Sequence, residues 1–150
     1  MKIEKITEEK DLFMNLLFLG DEQESMIHKY LERGELFALY DTDLKTVCVV
    51  TQEDENTFEI KNIATYQKEQ GKGYGSLMMR YIIDNYKDKC DILLVGTGDD
   101  PTILSFYKKF GFVYSHTVKS FFIDNYDHEI LENGKQLIDM VYLKNEIKKS

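Results

Sequence analysis

Apolar positions along this chain follow two rhythms, and the switches between them mark out its elements. Tyr74, Leu77, Met78, Tyr81 and Ile82 recur at the i, i+3, i+4, i+7, i+8 spacing of an amphipathic helix. That spacing predicts a helix running to about Tyr86. Met26, Ile27, Tyr30 and Leu31 form a second such stripe. Asp21 is expected to open that helix, with Glu24 three residues later completing a capping box, and Gly34 to stop it. Residues 8–19 read as an earlier helix. Asp100 followed by Pro101 opens a further one by two rules, an N-cap and a proline at the first helical position. Short runs rich in β-branched and aromatic residues predict strands over residues 2–6, 36–40, 46–51, 57–66, 92–95, 112–118 and 137–143. The second and third of these form a hairpin through residues 41–45. The order β-α-α-β-β-β-α-β-α-β-β predicts a mixed α/β fold, with seven strands in a sheet flanked by about four helices.

Composition narrows the class. At 150 residues the chain is long enough to bury a sizeable core, and residues 1–150 read as one domain. The 43% hydrophobic content, with 13% aromatic residues, is that of a globular protein rather than a disordered one. A single proline and the lack of a Gly/Ser-rich tract leave no internal boundary visible. The apolar stretch at residues 12–19 is too short to span a bilayer and lacks a basic leader region. Neither a signal peptide nor a membrane partner is expected. Cys48 and Cys90 form no CxxC or Cys/His cluster, so no metal site is expected. Two thiols without an export signal point to a reducing cytoplasm. The net charge of −8 argues against nucleic acid and suits a cationic partner such as an amine. The plainer reading of that charge is solubility alone.

The chemistry centres on Gln70-Gly71-Lys72-Gly73-Tyr74-Gly75-Ser76, a glycine-rich turn between a strand and a helix. Unpaired N–H groups and the helix dipole make such a place suitable for phosphate, and glycines let the backbone approach it closely. The spacing fits neither a P-loop nor a dinucleotide fingerprint, whose third glycine is replaced by Ser76. What remains is Q-x-x-G-x-G. Further on, Phe106-Tyr107-Lys108-Lys109-Phe110-Gly111-Phe112 gives F-Y-x-x-x-G-F at the end of the helix that Asp100 opens. The two motifs, in this order and in these local settings, resemble those of the GCN5-related N-acetyltransferase (GNAT) superfamily. The resemblance covers about residues 1–118 and the last strand.

The resemblance implies a mixed, mostly antiparallel sheet and transfer of an acetyl group from acetyl-CoA to a primary amine. Direct transfer in a ternary complex is expected, since neither cysteine is placed as an acyl carrier. It implies that Gln70, Gly71, Lys72, Gly73, Tyr74, Gly75 and Ser76 hold the cofactor pyrophosphate. It also implies that a backbone N–H near Ile63 or Ala64 meets the oxyanion. Tyr107 matches the family's general acid toward the departing sulfur; its other reading is a packed aromatic. Glu59, eleven residues before Gln70, matches by spacing the general base of some members; its other reading is a strand glutamate paired with Lys61. Lys72 either adds charge at the phosphate or is a solvated loop lysine. Asp100 stands where the family often has an Asn that touches the cofactor, and its simplest reading is the N-cap. Residues 119–136 lie outside the common core. Asp124, Asp127, Glu129 and Glu132, with Phe121, Phe122 and Tyr126, either hold a cationic acceptor or form a solvated excursion turning at Asn133-Gly134. His28, His116 and His128 are unclustered and read as structural or exposed. The acceptor is expected to be a cationic small molecule. A peptide or protein amine, and an acyl-CoA-binding sensor without useful transfer, stay open, as does oligomeric state, a homodimer included.

Overall fold

The computed structural model describes residues 1–147. Seven strands form one sheet: β1 (Lys2–Ile6), β2 (Glu35–Asp41), β3 (Asp43–Gln52), β4 (Thr57–Thr65), β5 (Ile92–Gly98), β6 (Val113–Val118) and β9 (Met140–Asn145). Their order across the sheet is β1-β2-β3-β4-β5-β9-β6. Every neighbouring pair is antiparallel except β4 and β5. A 3-10 turn (Lys10–Phe13) leads into α1 (Met14–Gly20), followed by α2 (Glu24–Leu31), α3 (Tyr74–Tyr86), α4 (Pro101–Lys108) and α5 (Phe121–Asn125). A small hairpin, β7 (Leu131–Glu132) and β8 (Lys135–Gln136), lies apart from the main sheet. The mixed, mostly antiparallel sheet expected from the sequence is present.

The central strands are buried on both faces, so their apolar residues run without alternation. Leu36, Phe37, Ala38 and Leu39 are all within 1% of full burial. Phe37 and Leu39 pack with Met78, Ile82 and Tyr86 of α3, whereas Leu36 and Ala38 pack with Leu16, Leu17, Ile27 and Leu31 of α1 and α2. One bulge matters for function. In the β3–β4 ladder Val49 faces Asn62 and Val50 faces Ile60, so Lys61 is the extra residue. An added residue reverses which face each later side chain takes. Ile60 and Ile63 therefore both pack on the α3 side, and Asn62 and Ala64 turn to the α1–α2 side.

Three local expectations are corrected. Asp21 does not open α2: the helix begins at Glu24 with Gln23 at its N-cap. The Asp21 carboxylate is occupied by the hydroxyls of Tyr30 and Tyr126. The helix expected over residues 8–19 starts later and in 3-10 form, after Glu9 at a left-handed φ of 53°. The last strand begins at Met140 rather than Leu137, because Leu137 is drawn into a separate cluster with Phe122 and Ile130.

Gly34 follows α2 as expected, but without a left-handed backbone. It is required by space: a Cβ there would sit 2.7 Å from the Tyr30 carbonyl oxygen and 2.7 Å from Val49 Cγ1. Gly34→Ala is expected to destabilise the protein by about 1–3 kcal/mol, the usual cost of overpacking. Urea denaturation checks this through a lower midpoint at unchanged slope.

Candidate active site

Strands β4 and β5 part. Their parallel ladder runs only from Thr57↔Ile92 to Ile60↔Val95. Beyond it, β4 keeps its partner β3 as far as Thr65, and β5 keeps β9 as far as Gly98. The inner edges of both strands then face one cavity of about 370 Å³. Alternate backbone N–H groups of residues 61–65 point into it, as the antiparallel ladder on their other side requires. Gly96 and Gly98 let side chains lie directly on β5. A Cβ at Gly96 would meet Met140 Sδ at 2.6 Å, and one at Gly98 would meet Leu137 at 2.5 Å.

The cavity brings together residues far apart in sequence. Glu59, Ile63, Ala64, Gln70 and Tyr107 all line it. Tyr107 is 7% exposed and comes from α4, which Asp100 caps by accepting from the Thr102 and Ile103 N–H groups at 3.1 and 3.2 Å. Burial, with the neighbouring Cys48 next, pushes the Tyr107 phenol above its ordinary value. Its hydroxyl has no hydrogen-bond partner among the described residues, so it is a neutral donor left free for a ligand. Glu59 is 6% exposed. Burial raises its carboxyl above the ordinary range, against the pull of Lys61, whose Nζ lies 3.1 Å away. The pairing with Lys61 read from the sequence is present, yet Glu59 is a buried cavity residue rather than a surface one.

The glycine turn continues from the cavity's edge. Gln70 reaches back and donates its side-chain amide to the Thr65 carbonyl at 3.2 Å, while Gly71 to Ser76 lie outside the cavity lining. Gly71 and Gly73 adopt φ of 81° and 91°, a region that favours glycine, and nothing lies within 4 Å of a Cβ at either. Gly73 precedes α3 without any side-chain cap, so first-turn N–H groups of that helix have no intrahelical partner. This open cradle fits an anion. Tyr74 packs beside it and donates to Asp41 at 2.7 Å. Lys72 is exposed but not free: it pairs with Glu69 at 2.6 Å, and Glu69 also takes Lys45 at 2.7 Å. Those two lysines, Lys45 first, hold the Glu69 carboxyl down at about 2.

Several cavity residues were not legible as such in the sequence. Asn62, Tyr30, Asp21, Glu22 and Tyr142 all line it. Tyr142 stacks on His116 with ring centroids 4.6 Å apart, and burial followed by the Glu59 charge pushes its phenol up to about 12. Nothing in the local sequence signals these residues, which come from different strands, a helix and the α1–α2 connection. Of the four acids expected to meet an acceptor, only Glu132 lines the cavity; Asp124, Asp127 and Glu129 are exposed elsewhere. The excursion that carries them is docked rather than freely solvated. Phe122, Ile130 and Leu137 are buried together. Asn133 and Gly134 make the turn, both at positive φ, and Asn133 donates to the Asp100 carboxylate at 3.1 and 3.2 Å. That hydrogen bond, the largest influence on it, lowers the Asp100 carboxyl.

The sequence model of the acetyltransferase (GNAT) domain matches residues 32–114. The chain belongs to the GNAT acetyltransferase superfamily. Among curated proteins it is 36% identical, over 95% of its length and 94% of the relative, to the uncharacterised N-acetyltransferase YvbK of Bacillus subtilis. A GNAT family acetyltransferase from Elizabethkingia anophelis, solved with acetyl-CoA bound, matches with a TM-score of 0.91 and 36% identity, over 97% of each chain. A Bacillus subtilis acetyltransferase solved in complex with CoA matches with a TM-score of 0.87 and 36% identity, again over 97% of each chain. The parted strands, the glycine turn and the buried tyrosine thus sit in a GNAT acetyltransferase, an enzyme of the N-acetyltransferase class. Among the described residues no helix is long and apolar enough to cross a membrane.

Proposed function

We propose that this GNAT enzyme transfers the acetyl group of acetyl-CoA directly to a primary amine of a cationic small molecule, within a ternary complex on a single domain. The observation that carries the reading is the convergence of Glu59 and Tyr107 on one cavity between the parted strands, with the open glycine turn at its edge. The E. anophelis and B. subtilis relatives, solved with acetyl-CoA and CoA, support the choice of donor. Gln70 to Ser76 hold the pyrophosphate, through backbone N–H groups and the end of α3. The cavity's volume lies in the range of small-molecule sites, which favours a small amine over a peptide. Four carboxylates against one lysine among its described lining residues favour a cation. Cys48 and Cys90 are unpaired, buried and outside the cavity; this suits direct transfer, and we place the enzyme in the cytoplasm.

The free amine attacks the thioester carbonyl, forming the C–N bond, while a β4 backbone N–H at Ile63 or Ala64 meets the oxyanion. Glu59 accepts the proton that the amine sheds as it attacks, through a water. A carboxylate beside an ammonium would otherwise stabilise it and oppose attack. The C–S bond then breaks, and Tyr107 donates toward the departing thiolate. An ordinary tyrosine, near 10, would transfer its proton to a thiolate, near 8.5, at an uphill cost of about 2 kcal/mol. Burial of Tyr107 raises that cost, so its contribution is a hydrogen bond to the developing negative sulfur.

Three measurements test this. Tyr107→Phe should lower kcat on the order of 10²-fold under conditions where chemistry limits the rate, with acetyl-CoA affinity retained; a change within about two-fold would return Tyr107 to packing. Glu59 is a base only when ionised, so kcat/KM should fall as pH drops through its raised pKa. That acid limb should lie above the ordinary glutamate value of about 4.3. Glu59→Gln should abolish the limb and lower the rate, and an unchanged limb assigns it to another group. Gly73→Asp forces a side chain into a left-handed backbone, at a cost of roughly 1–2 kcal/mol, and adds a negative charge to the cradle. Calorimetry should then register much weaker acetyl-CoA binding to a protein that is still folded; unchanged affinity would remove the turn from the cofactor site.

A further inference from the structure

A chain of polar side chains crosses the acceptor end of the cavity and ties three separate elements together. Asn62 on β4 donates Nδ2 to the Leu17 carbonyl at 2.8 Å and to the Tyr30 hydroxyl at 3.1 Å. Tyr30 on α2 donates to Asp21 Oδ2 at 2.9 Å, and Tyr126 from the excursion donates to Asp21 Oδ1 at 2.6 Å. All four side chains belong to cavity-lining residues. The chain starts at an atom whose need is unmet: Asn62 is 3% exposed and its Oδ1 has no donor among the described residues. It ends at a carboxylate held by neutral donors, the Tyr30 and Tyr126 hydroxyls and the Gln23 backbone N–H. Among the described residues no lysine, arginine or histidine pairs with Asp21. Burial, the largest influence, raises its carboxyl above the ordinary range. Glu132 nearby is also raised, by burial and then by the charges of Asp100 and Glu22. Carboxylates crowd this end of the cavity; His128 lies 3.9 Å from Glu22, and Lys135 stands across the β7–β8 ladder from Glu132.

A half-buried carboxylate without a cation is harder to ionise than one in water, and here the arrangement is built rather than incidental. Gly20 is required beside it, since a Cβ there would lie 2.1 Å from Asn62 Oδ1. Aromatic rings of Phe122 and Tyr126 stack at 5.6 Å along the same wall. We infer that Asp21, held in place by Tyr30 and Tyr126, receives a second cationic group of the acceptor, one that is not acetylated.

The inference rests on the amine-acetyltransferase reading and narrows it. Asp21 does not serve the reacting nitrogen. A carboxylate bound to that ammonium would raise its pKa and hold it in the form that cannot attack. The cation at Asp21 keeps its charge through the reaction, while the nitrogen near Glu59 and Tyr107 loses its charge and becomes an amide. The acceptor class is therefore a compact diamine, or an amine bearing a guanidinium, with an apolar stretch between the two nitrogens to lie on the rings. Asp21 is a specificity-determining residue, and Tyr30, Tyr126 and Asn62 are positioning residues.

The test compares straight-chain diamines with amino alcohols of the same chain length, reading thiol release from acetyl-CoA. A charge-assisted hydrogen bond lost with the second ammonium should give the best diamine a kcat/KM about 10- to 100-fold above its amino alcohol, expressed mainly in KM. Asp21→Asn should bring that ratio close to one. Tyr126→Phe, which keeps the carboxylate and removes one donor, should reduce it partway. Asp124→Asn, exposed and outside the cavity, should leave it intact. A parent enzyme that acetylates both series equally overturns the inference while leaving the N-acetyltransferase reading standing. Equal losses for both series in Asp21→Asn overturn it too, because they would make Asp21 a structural tie. If no amine releases thiol although acetyl-CoA binds, the N-acetyltransferase reading fails and the inference with it.

Discussion

The site depends on a place where hydrogen bonding inside the sheet stops. β4 and β5 are central strands, and their ladder ends after Ile60 and Val95 while both continue outward on the arms of their other partners. Buried N–H and C=O groups left without partners cost about 1–3 kcal/mol each, so a sheet does not open in its middle without compensation. Here β3 and β9 hold the two arms along their outer edges, and glycines on β5 let Met140, Tyr142 and Leu137 fill the space beside it. The inner edges remain available for a ligand. The same break gives the cavity its walls and its backbone donors, and α4 brings Ile103 and Tyr107 to it.

Charge is distributed unequally along this opening. At the glycine turn the acids are neutralised: Glu69 is gripped by Lys45 and Lys72, and Lys45 also holds Asp43. In the cavity the balance reverses. Glu59 has Lys61 beside it, whereas Asp21 is met by neutral donors, two hydroxyls and a backbone N–H. The net charge of −8 is therefore not spread uniformly over a solvated surface; part of it lines the space where an acceptor would lie. Removing either Tyr30 or Tyr126 would leave Asp21 with less compensation than it has, which explains why two aromatics with hydroxyl tips occupy positions where phenylalanine would pack as well.

The segment between β6 and β9 is fixed by a few specific contacts. Gln23 accepts from the Asp127 N–H at 2.9 Å, Asp139 accepts from the Ser120 N–H at 2.8 Å, and Asn133 holds the N-cap Asp100. Phe122, Ile130 and Leu137 provide a small core of their own. The segment thereby becomes a wall of the cavity rather than a loose loop, and it joins the acceptor end to the helix that carries Tyr107.

What the sequence determined by itself is what local rules govern. The helical stripe after Gly73, the N-cap at Asp100, the turn at Asn133-Gly134 and the two glycine motifs all depend on residues within a few positions of one another, and each stands in the structure where its local chemistry puts it. Those motifs sufficed to identify the fold and to put Tyr107 and the glycine turn near one another. The tertiary structure decided which polar groups share a space. The capping-box rule assigned Asp21 to a helix start, but Tyr126, more than a hundred residues away in sequence, claims its carboxylate, and a local rule cannot see that competitor. Pairing of Glu59 with Lys61 was visible from strand alternation; the burial that makes Glu59 a cavity residue was not, because it depends on where β5 departs. Asp124, Asp127, Glu129 and Glu132 looked alike in sequence, and only the docking of the excursion turned one inward and left three in solvent. Burial and long-range hydrogen bonds are sums over neighbours brought together by folding, so they become definite only when the whole sheet is assembled.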